Sequence, residues 1–136
     1  MRRNASAVWN GSGKEGSGHL TTQSTVLNKT QYSFGSRFEN GVGTNPEELL
    51  AAAHAGCYTM QLSFTLNAAG FTADEIDTNC HVTIENGTIT KSELTVRAKI
   101  PNIDNEKFME AATYAKDNCP VSKLFNCEKT LDASLV

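Results

Sequence analysis

From Leu49 to Ala73 the chain carries no Asp, Glu, Lys or Arg, and apolar residues fall on most sides of a helical wheel. The run is bracketed by helix signals. Asn45 suits an N-cap, Pro46 the first helical position and Glu48 the N3 arm of a capping box, while Gly70 suits a C-terminal stop. The pattern predicts one helix from Pro46 to Ala69, roughly 36 Å long at 1.5 Å per residue. A stretch this apolar invites a membrane-spanning reading. His54, Gln61, Ser63, Thr65 and Asn67 are scattered through it, and no Lys or Arg flanks its ends as an anchor. It therefore reads as a buried core helix of a soluble chain with no membrane partner.

The periodicity before and after this helix is shorter. Ala5–Trp9 and His19–Leu27 are β-prone runs separated by the turn cluster Asn10-Gly11-Ser12-Gly13. A further strand is expected near Tyr32–Phe38, with a loop over Glu39–Gly43. Cys80–Glu85 alternates, Asn86-Gly87 is a strong type I′ turn signal, and Thr88–Ile100 returns, ended by Pro101. A second helix is predicted over Asn105–Asp117, capped by Asp104, with Phe108, Ala111, Ala112 and Ala115 on one face. A short helical turn starts at Pro120, and Glu128–Val136 closes as a strand. This order predicts an α+β fold in which helices pack on antiparallel sheet.

Size and charge narrow the class. At 136 residues and 39% hydrophobic content, the chain is expected to form a single domain, residues 1–136, with a real core. Twelve basic against fifteen acidic residues give a net charge of -3 with no basic block, which argues against a nucleic-acid partner. Met1-Arg2-Arg3-Asn4-Ala5-Ser6 has no apolar segment behind it and does not read as a secretory signal. A cytoplasmic location follows as the expectation, and there the four cysteines stay reduced. They then serve redox chemistry or plain packing.

Two cysteines stand out. Cys57 lies about three turns inside the long helix, beyond the first turn in which the macrodipole acts. A thiol is a useful nucleophile only as thiolate, and apolar burial raises its pKa. A reactive Cys57 therefore needs a cation that stays charged when buried, which is Arg. Arg37 stands out, because Arg2, Arg3 and Arg97 lie in terminal or strand segments. Cys119, just before Pro120, suits an N-cap, where unpaired amides favour a thiolate. Each cysteine read alone is equally a small buried residue. Together they form a pair in which a sulfenic acid at one site is resolved by the thiol at the other.

Rival chemistries are weaker. His54 and Cys57 share a helix face as two metal ligands do, but Cys80 and His81 are adjacent on a strand and point to opposite faces. No C-x₂₋₄-C pair is present, so no metal is expected. A Cys-His hydrolase would use His54 as base to Cys57, yet no carboxylate or oxyanion hole is evident; His54 reads instead as a core histidine with a backbone partner. Cys80 and Cys127 read as strand residues without a role.

Gly43-Thr44-Asn45-Pro46-Glu47-Glu48-Leu49-Leu50-Ala51-Ala52-Ala53-His54-Ala55-Gly56-Cys57 and Asn118-Cys119-Pro120-Val121-Ser122 closely resemble the central-helix and second-cysteine motifs of the OsmC/Ohr family, the osmotically induced and organic-hydroperoxide-resistance proteins. Trp9, Gly18, Thr44 and Gly70 also stand where that resemblance expects them. Tyr32-Ser33-Phe34-Gly35-Ser36-Arg37-Phe38 is similar to the arginine segment of the OsmC branch. The hairpin at Asn86-Gly87 is shorter than usual, and Cys80 and Cys127 are additions to the family's active-site pattern. The resemblance implies antiparallel sheets wrapped around a long buried central helix and a second helix, in an intertwined homodimer with sites at the interface. It implies a peroxidatic Cys57, a resolving Cys119, and Arg37 with Glu47 stabilising the thiolate. It also implies organic hydroperoxide as substrate, a dithiol reductant such as a lipoylated protein, and no bound cofactor. Phe38 and Met60 are the candidates to line the substrate pocket. Glu47 and Cys57 lie ten positions apart on one helix, roughly 15 Å along its axis, so a single site holding both draws Arg37 and Glu47 from a second subunit. The alternative to an enzyme is a non-enzymatic stress-response or small-molecule-binding protein on the same fold.

Overall fold

The computed structural model describes Met1–Val136. The chain divides into two compact units, Met1–Leu49 and Leu50–Val136.

The first unit is built on a three-stranded antiparallel sheet. β1 (Ala5–Asn10) pairs with β2 (Ser17–Thr22), and β2 pairs in turn with β3 (Thr30–Tyr32). The Trp9 and Tyr32 rings meet with centroids 5.3 Å apart. They do so over Gly18, where an added Cβ would lie 2.3 Å from the Val8 carbonyl oxygen and 2.7 Å from the Trp9 ring. Only a residue without a side chain lets the rings close there. β2 stops at Thr22 rather than continuing to Leu27, because the Thr22 amide turns to the Leu27 carbonyl at 2.9 Å and Thr25 takes φ 62°.

The strand expected over Tyr32–Phe38 is corrected by the structure: β3 ends at Tyr32 and Phe34–Phe38 forms a short helix, α1. Ser33 and Ser36 explain it. The Ser36 amide donates to Ser33 Oγ at 3.1 Å, and the Ser33 amide donates to Ser36 Oγ at 2.8 Å, a reciprocal capping box. Buried Ser36 also donates to the Thr44 carbonyl at 2.8 Å, which ties α1 to the start of the next helix.

That helix, α2, runs unbroken over Pro46–Ala68. Asn45 caps it, accepting from the Glu48 amide at 2.7 Å. The Glu48 carboxylate takes the Thr44 hydroxyl at 3.2 Å, so the box expected between Glu48 and Asn45 is made on one side only. At the far end Phe71 N–H reaches the Leu66 carbonyl at 2.9 Å and Gly70 N–H the Asn67 carbonyl at 3.0 Å, with Gly70 at φ +90°. This is the Schellman closure that glycine makes possible.

In the second unit, β4 (Glu75–Glu85) and β5 (Thr88–Lys99) form the hairpin, turning at Asn86 (φ 50°) and Gly87 (φ 75°) as a type I′ turn requires. α3 (Asn105–Asn118) is capped by Asp104 and buries Phe108, Ala111, Ala112 and Ala115, as its pattern predicts. α4 (Pro120–Leu124) and β6 (Glu128–Leu135) follow. β6 pairs parallel with β5, so this sheet is mixed rather than wholly antiparallel. The connection through α3 and α4 is the helical crossover that a parallel neighbour needs.

α2 contributes His54, Tyr58, Leu62 and Leu66 at four-residue steps to the core, all fully buried with Leu94, Val96 and Phe108. Each such leucine contributes about 1.5–3 kcal/mol of burial. The opposite face does not match the expected all-round burial. Gly56, Met60 and Phe64 are exposed, Met60 at 61% and Phe64 at 59%. Sheet and α3 cover one side of the helix.

Candidate active site

Cys119 ends α3 and begins α4. Its amide still bonds the Ala115 carbonyl at 3.0 Å, while its extended backbone (φ -66°, ψ 142°) and Pro120 at the first helical position start the next helix. Its sulfur accepts from the Ser122 amide at 3.4 Å and lies 3.1 Å from Ser122 Oγ. The thiol is fully buried. Cys57, half-buried on α2, sits beside it. Burial pushes the Cys57 thiol up, the backbone N–H of Val121 pulls it down, and the neighbouring Cys119 pushes it up again; the net direction is upward. The two thiols that the sequence pairs are thus brought together across 62 residues by α4 packing near α2, and the surroundings that this unit supplies favour the neutral thiol at Cys57.

Arg37 and Glu47 are brought together within the first unit. Arg37 Nε donates to both Glu47 carboxylate oxygens at 3.0 and 3.3 Å, and a terminal guanidinium nitrogen donates to Oε1 at 2.8 Å. Glu47 is buried, whereas the Arg37 side chain keeps 39% of its surface exposed. A planar fork held this way has a fixed direction and a free edge for a second anion. Phe38 stacks 5.0 Å from the Arg37 guanidinium and 5.0 Å from the Phe34 ring. Arg37, Phe38, Phe34, Trp9 and Tyr32 line a cavity of about 240 Å³. Met60 stands exposed on α2.

His54 departs from its expected setting. The ring is fully buried, but its partners are side chains: Nδ1 lies 2.7 Å from Ser92 Oγ on β5, and Nε2 lies 2.7 Å from Ser122 Oγ on α4. With both nitrogens held by serines and no carboxylate on either, the ring is not set as base to Cys57, and the hydrolase reading loses its geometry. Phe125 packs edge-on at 5.0 Å. Cys80 Sγ lies 3.3 Å from Ser92 Oγ, so this cysteine faces the histidine cluster, while its neighbour His81 is exposed on the other face of β4.

Residues 38–134 match the family model of OsmC-like proteins. The peroxiredoxin OsmC of Escherichia coli (strain K12) is 42% identical, over 99% of this chain and 97% of that protein. The chain belongs to the OsmC-like family. The crystal structure of the organic hydroperoxide resistance protein OhrB of Bacillus subtilis superposes with a TM-score of 0.70 at 25% identity, covering 96% of this chain and 98% of that one. An OsmC-like protein from Mycoplasma pneumoniae reaches a TM-score of 0.78 at 14% identity, over 100% of this chain and 98% of its own, and shares the fold. No helix of this OsmC-like chain is long and apolar enough to cross a membrane.

Ser92 and Ser122 are the partners of His54, and the sequence assigns neither a role. Ser122 carries one readable signal, its place three residues after a capping cysteine; Ser92 carries none. Their histidine gives a pH prediction. Burial, then the charge of Lys129, holds the His54 pKa below its ordinary value of 6.5. The unfolded chain therefore binds more protons than the folded one just below pH 6.5, and stability is lost as pH falls through that region. Urea midpoints measured from pH 7.5 down to 5 are expected to decline for the wild type. The decline is expected to be shallower in His54→Gln; an equal slope in both would remove His54 as its source.

Proposed function

We propose that this chain is a cysteine-based peroxidase that reduces organic hydroperoxides to alcohols. One observation carries the reading: a Cys57 thiol with a second, buried thiol, Cys119, beside it. A sulfenic acid formed on the first has its resolving partner in place. The Cys57 thiolate attacks the distal hydroperoxide oxygen, the O–O bond breaks, and the alkoxide leaves as alcohol after taking a proton. Cys119 then condenses with the sulfenic acid to a disulfide, releasing water. An external dithiol of the lipoyl type reopens it by exchange. The Escherichia coli and Bacillus subtilis relatives, named as a peroxiredoxin and an organic hydroperoxide resistance protein, support this chemistry.

The same proposal treats residues 1–136 as one OsmC-like domain acting as a homodimer, in the cytoplasm. The upward direction of the Cys57 thiol supports the second copy, since a working thiolate then needs a cation from elsewhere. The Glu47-anchored Arg37 of a second copy is the group we assign to that role. Phe38 beside Arg37, and exposed Met60 on the face of α2 away from the core, are assigned to the apolar end of the substrate.

Steady-state hydroperoxide consumption with a lipoyl dithiol tests the reading. Each buried CH₂ contributes up to ~0.8 kcal/mol. A cumyl group is therefore expected to raise kcat/KM over hydrogen peroxide by at least about tenfold, which asks for only ~1.4 kcal/mol. Equal values for the two substrates would contradict an apolar site. The raised Cys57 thiol also suits a second reading, a non-enzymatic binding or stress-response protein. Titrating Cys57 in the assembled protein separates them: a peroxidase requires a thiolate pKa well below ~8.5, and a binder does not.

A further inference from the structure

Forming the disulfide requires that Cys119 lose a proton while it is fully buried. Bulk water does not reach this sulfur, so an acceptor held within the fold would serve that transfer. A continuous line of short contacts leads away from the sulfur. Cys119 Sγ lies 3.1 Å from Ser122 Oγ, Ser122 Oγ lies 2.7 Å from His54 Nε2, and His54 Nδ1 lies 2.7 Å from Ser92 Oγ. Ser92 Oγ continues to Cys80 Sγ at 3.3 Å. Ser122, His54 and Ser92 are all within 2% of full burial. A histidine whose two nitrogens meet two hydroxyls needs no protonation to satisfy its bonds, because one nitrogen donates and the other accepts.

Resting on the peroxidase reading of the Cys57–Cys119 pair, we propose that Ser122 and His54 form a relay that removes the proton from the Cys119 thiol as it attacks the Cys57 sulfenic acid. Ser122 touches the reacting sulfur and is the catalytic member. His54 acts through it, and Ser92 is the positioning residue that accepts from Nδ1–H and so leaves Nε2 free to accept. In the step, the Cys119 S–H proton passes to Ser122 Oγ as the Ser122 proton passes to His54 Nε2. The S–S bond forms, the S–O bond of the sulfenic acid breaks with its electron pair, and the departing hydroxide ends as water. The proton held on His54 balances that hydroxide, and the ring returns to neutral. The oxidant is the sulfenic acid itself, so no further reagent is consumed.

The groups facing His54 suit a transient acceptor. Lys129 on β6 repels an imidazolium and favours its prompt discharge; its own ammonium is held by the carbonyls of Phe125 at 2.8 Å and Cys127 at 3.1 Å. Cys80 on β4, Ser92 on β5, Ser122 with Cys119 at α4, and Cys57 one turn along α2 complete the titratable and polar surroundings. No carboxylate bonds the ring to keep it charged. Above the His54 titration the ring is neutral and the relay is open.

Rapid mixing of reduced protein with one equivalent of cumene hydroperoxide separates the two steps, alcohol release reporting sulfenic acid and loss of free thiol reporting the disulfide. In the wild type, the disulfide step is expected to rise with pH through a group below the ordinary histidine range and then level off. In His54→Gln, whose amide bonds a serine without taking a proton, alcohol release is expected within about twofold of wild type. Its disulfide step is expected to slow by at least about tenfold at pH 7 and to lose the rise that the wild type shows below the ordinary histidine range. Ser122→Ala is expected to reproduce both changes and stands in for His54→Gln should that variant not fold. Diamide provides an arm without peroxide. It forms an adduct on Cys57, which Cys119 displaces as the hydrazine, again losing its proton. If hydroperoxide yields no sulfenic acid in the wild type, the peroxidase reading fails, and the diamide arm still decides the relay. Unchanged disulfide rates and pH profiles in both variants, or equal slowing of both steps, would overturn it.

Discussion

Cys57→Ser is expected to bring hydroperoxide consumption down to the uncatalysed rate, and Cys119→Ser to leave a single turnover. The two losses differ because the two thiols carry different bonds. Serine at position 57 is a far weaker nucleophile at neutral pH than a thiolate, so the O–O bond is never attacked. Serine at position 119 leaves that attack intact but removes the sulfur that closes on the sulfenic acid. One equivalent of peroxide per chain is then reduced, and excess peroxide drives Cys57 up the oxidation ladder to the sulfinic acid. Burst amplitude by alcohol release and the mass of the Cys57 peptide, +32 Da (about two oxygens), read the two states directly. Turnover retained in Cys57→Ser would displace the nucleophile, and normal multiple turnover in Cys119→Ser would remove the resolving role. Cys80→Ser and Cys127→Ser are controls: Cys80 faces Ser92 rather than Cys57, so peroxide consumption is expected to persist in both.

The cysteine pair was legible because both thiols sit on strong local signals. The Asn45 cap and Gly70 stop define the helix that carries Cys57, and the Cys-Pro step at Cys119 defines a cap that the structure forms. Features decided by distant partners were not legible. Phe34–Phe38 carries aromatic spacing that suits a strand, and only the Ser33–Ser36 box with the Ser36–Thr44 contact makes it helical. The direction of β6 is set by where α4 delivers the chain, not by its own alternation, and so the parallel pairing could not be read locally. His54 met Ser92 and Ser122 across 38 and 68 residues, a convergence for which neither serine's neighbours give a pattern. The exposed face of Gly56, Met60 and Phe64 is the reverse case. Its sequence reads as core, and one chain leaves it uncovered.

Refolding Cys57→Ser chains together with Arg37→Ala chains, each inactive alone, is expected to restore about a quarter of wild-type turnover if the dimer is symmetric and pairing is random. α2 runs unbroken from Pro46 to Ala68. Ten residues of continuous helix put Glu47 and Cys57 of one chain roughly 15 Å apart along the axis. Glu47 holds Arg37 through three hydrogen bonds, so the guanidinium is fixed beside the Glu47 carboxylate at the helix start. On the proposed reading, the cation that Cys57 needs comes from a second copy. A mixed dimer carries one site with Cys57 from one chain and Arg37 from the other, and one site damaged at both positions. Half of the dimers are mixed, and half of their sites work. The thiol itself offers an independent readout: an arginine within ~4–6 Å lowers a thiol pKa by about 1–3 units, so Arg37→Ala homodimers are expected to titrate Cys57 higher by that amount. Dimers that form on joint refolding yet recover no turnover would show that Arg37 and Cys57 must come from the same chain, and α2 would then have to open between Glu47 and Cys57 for the site to assemble.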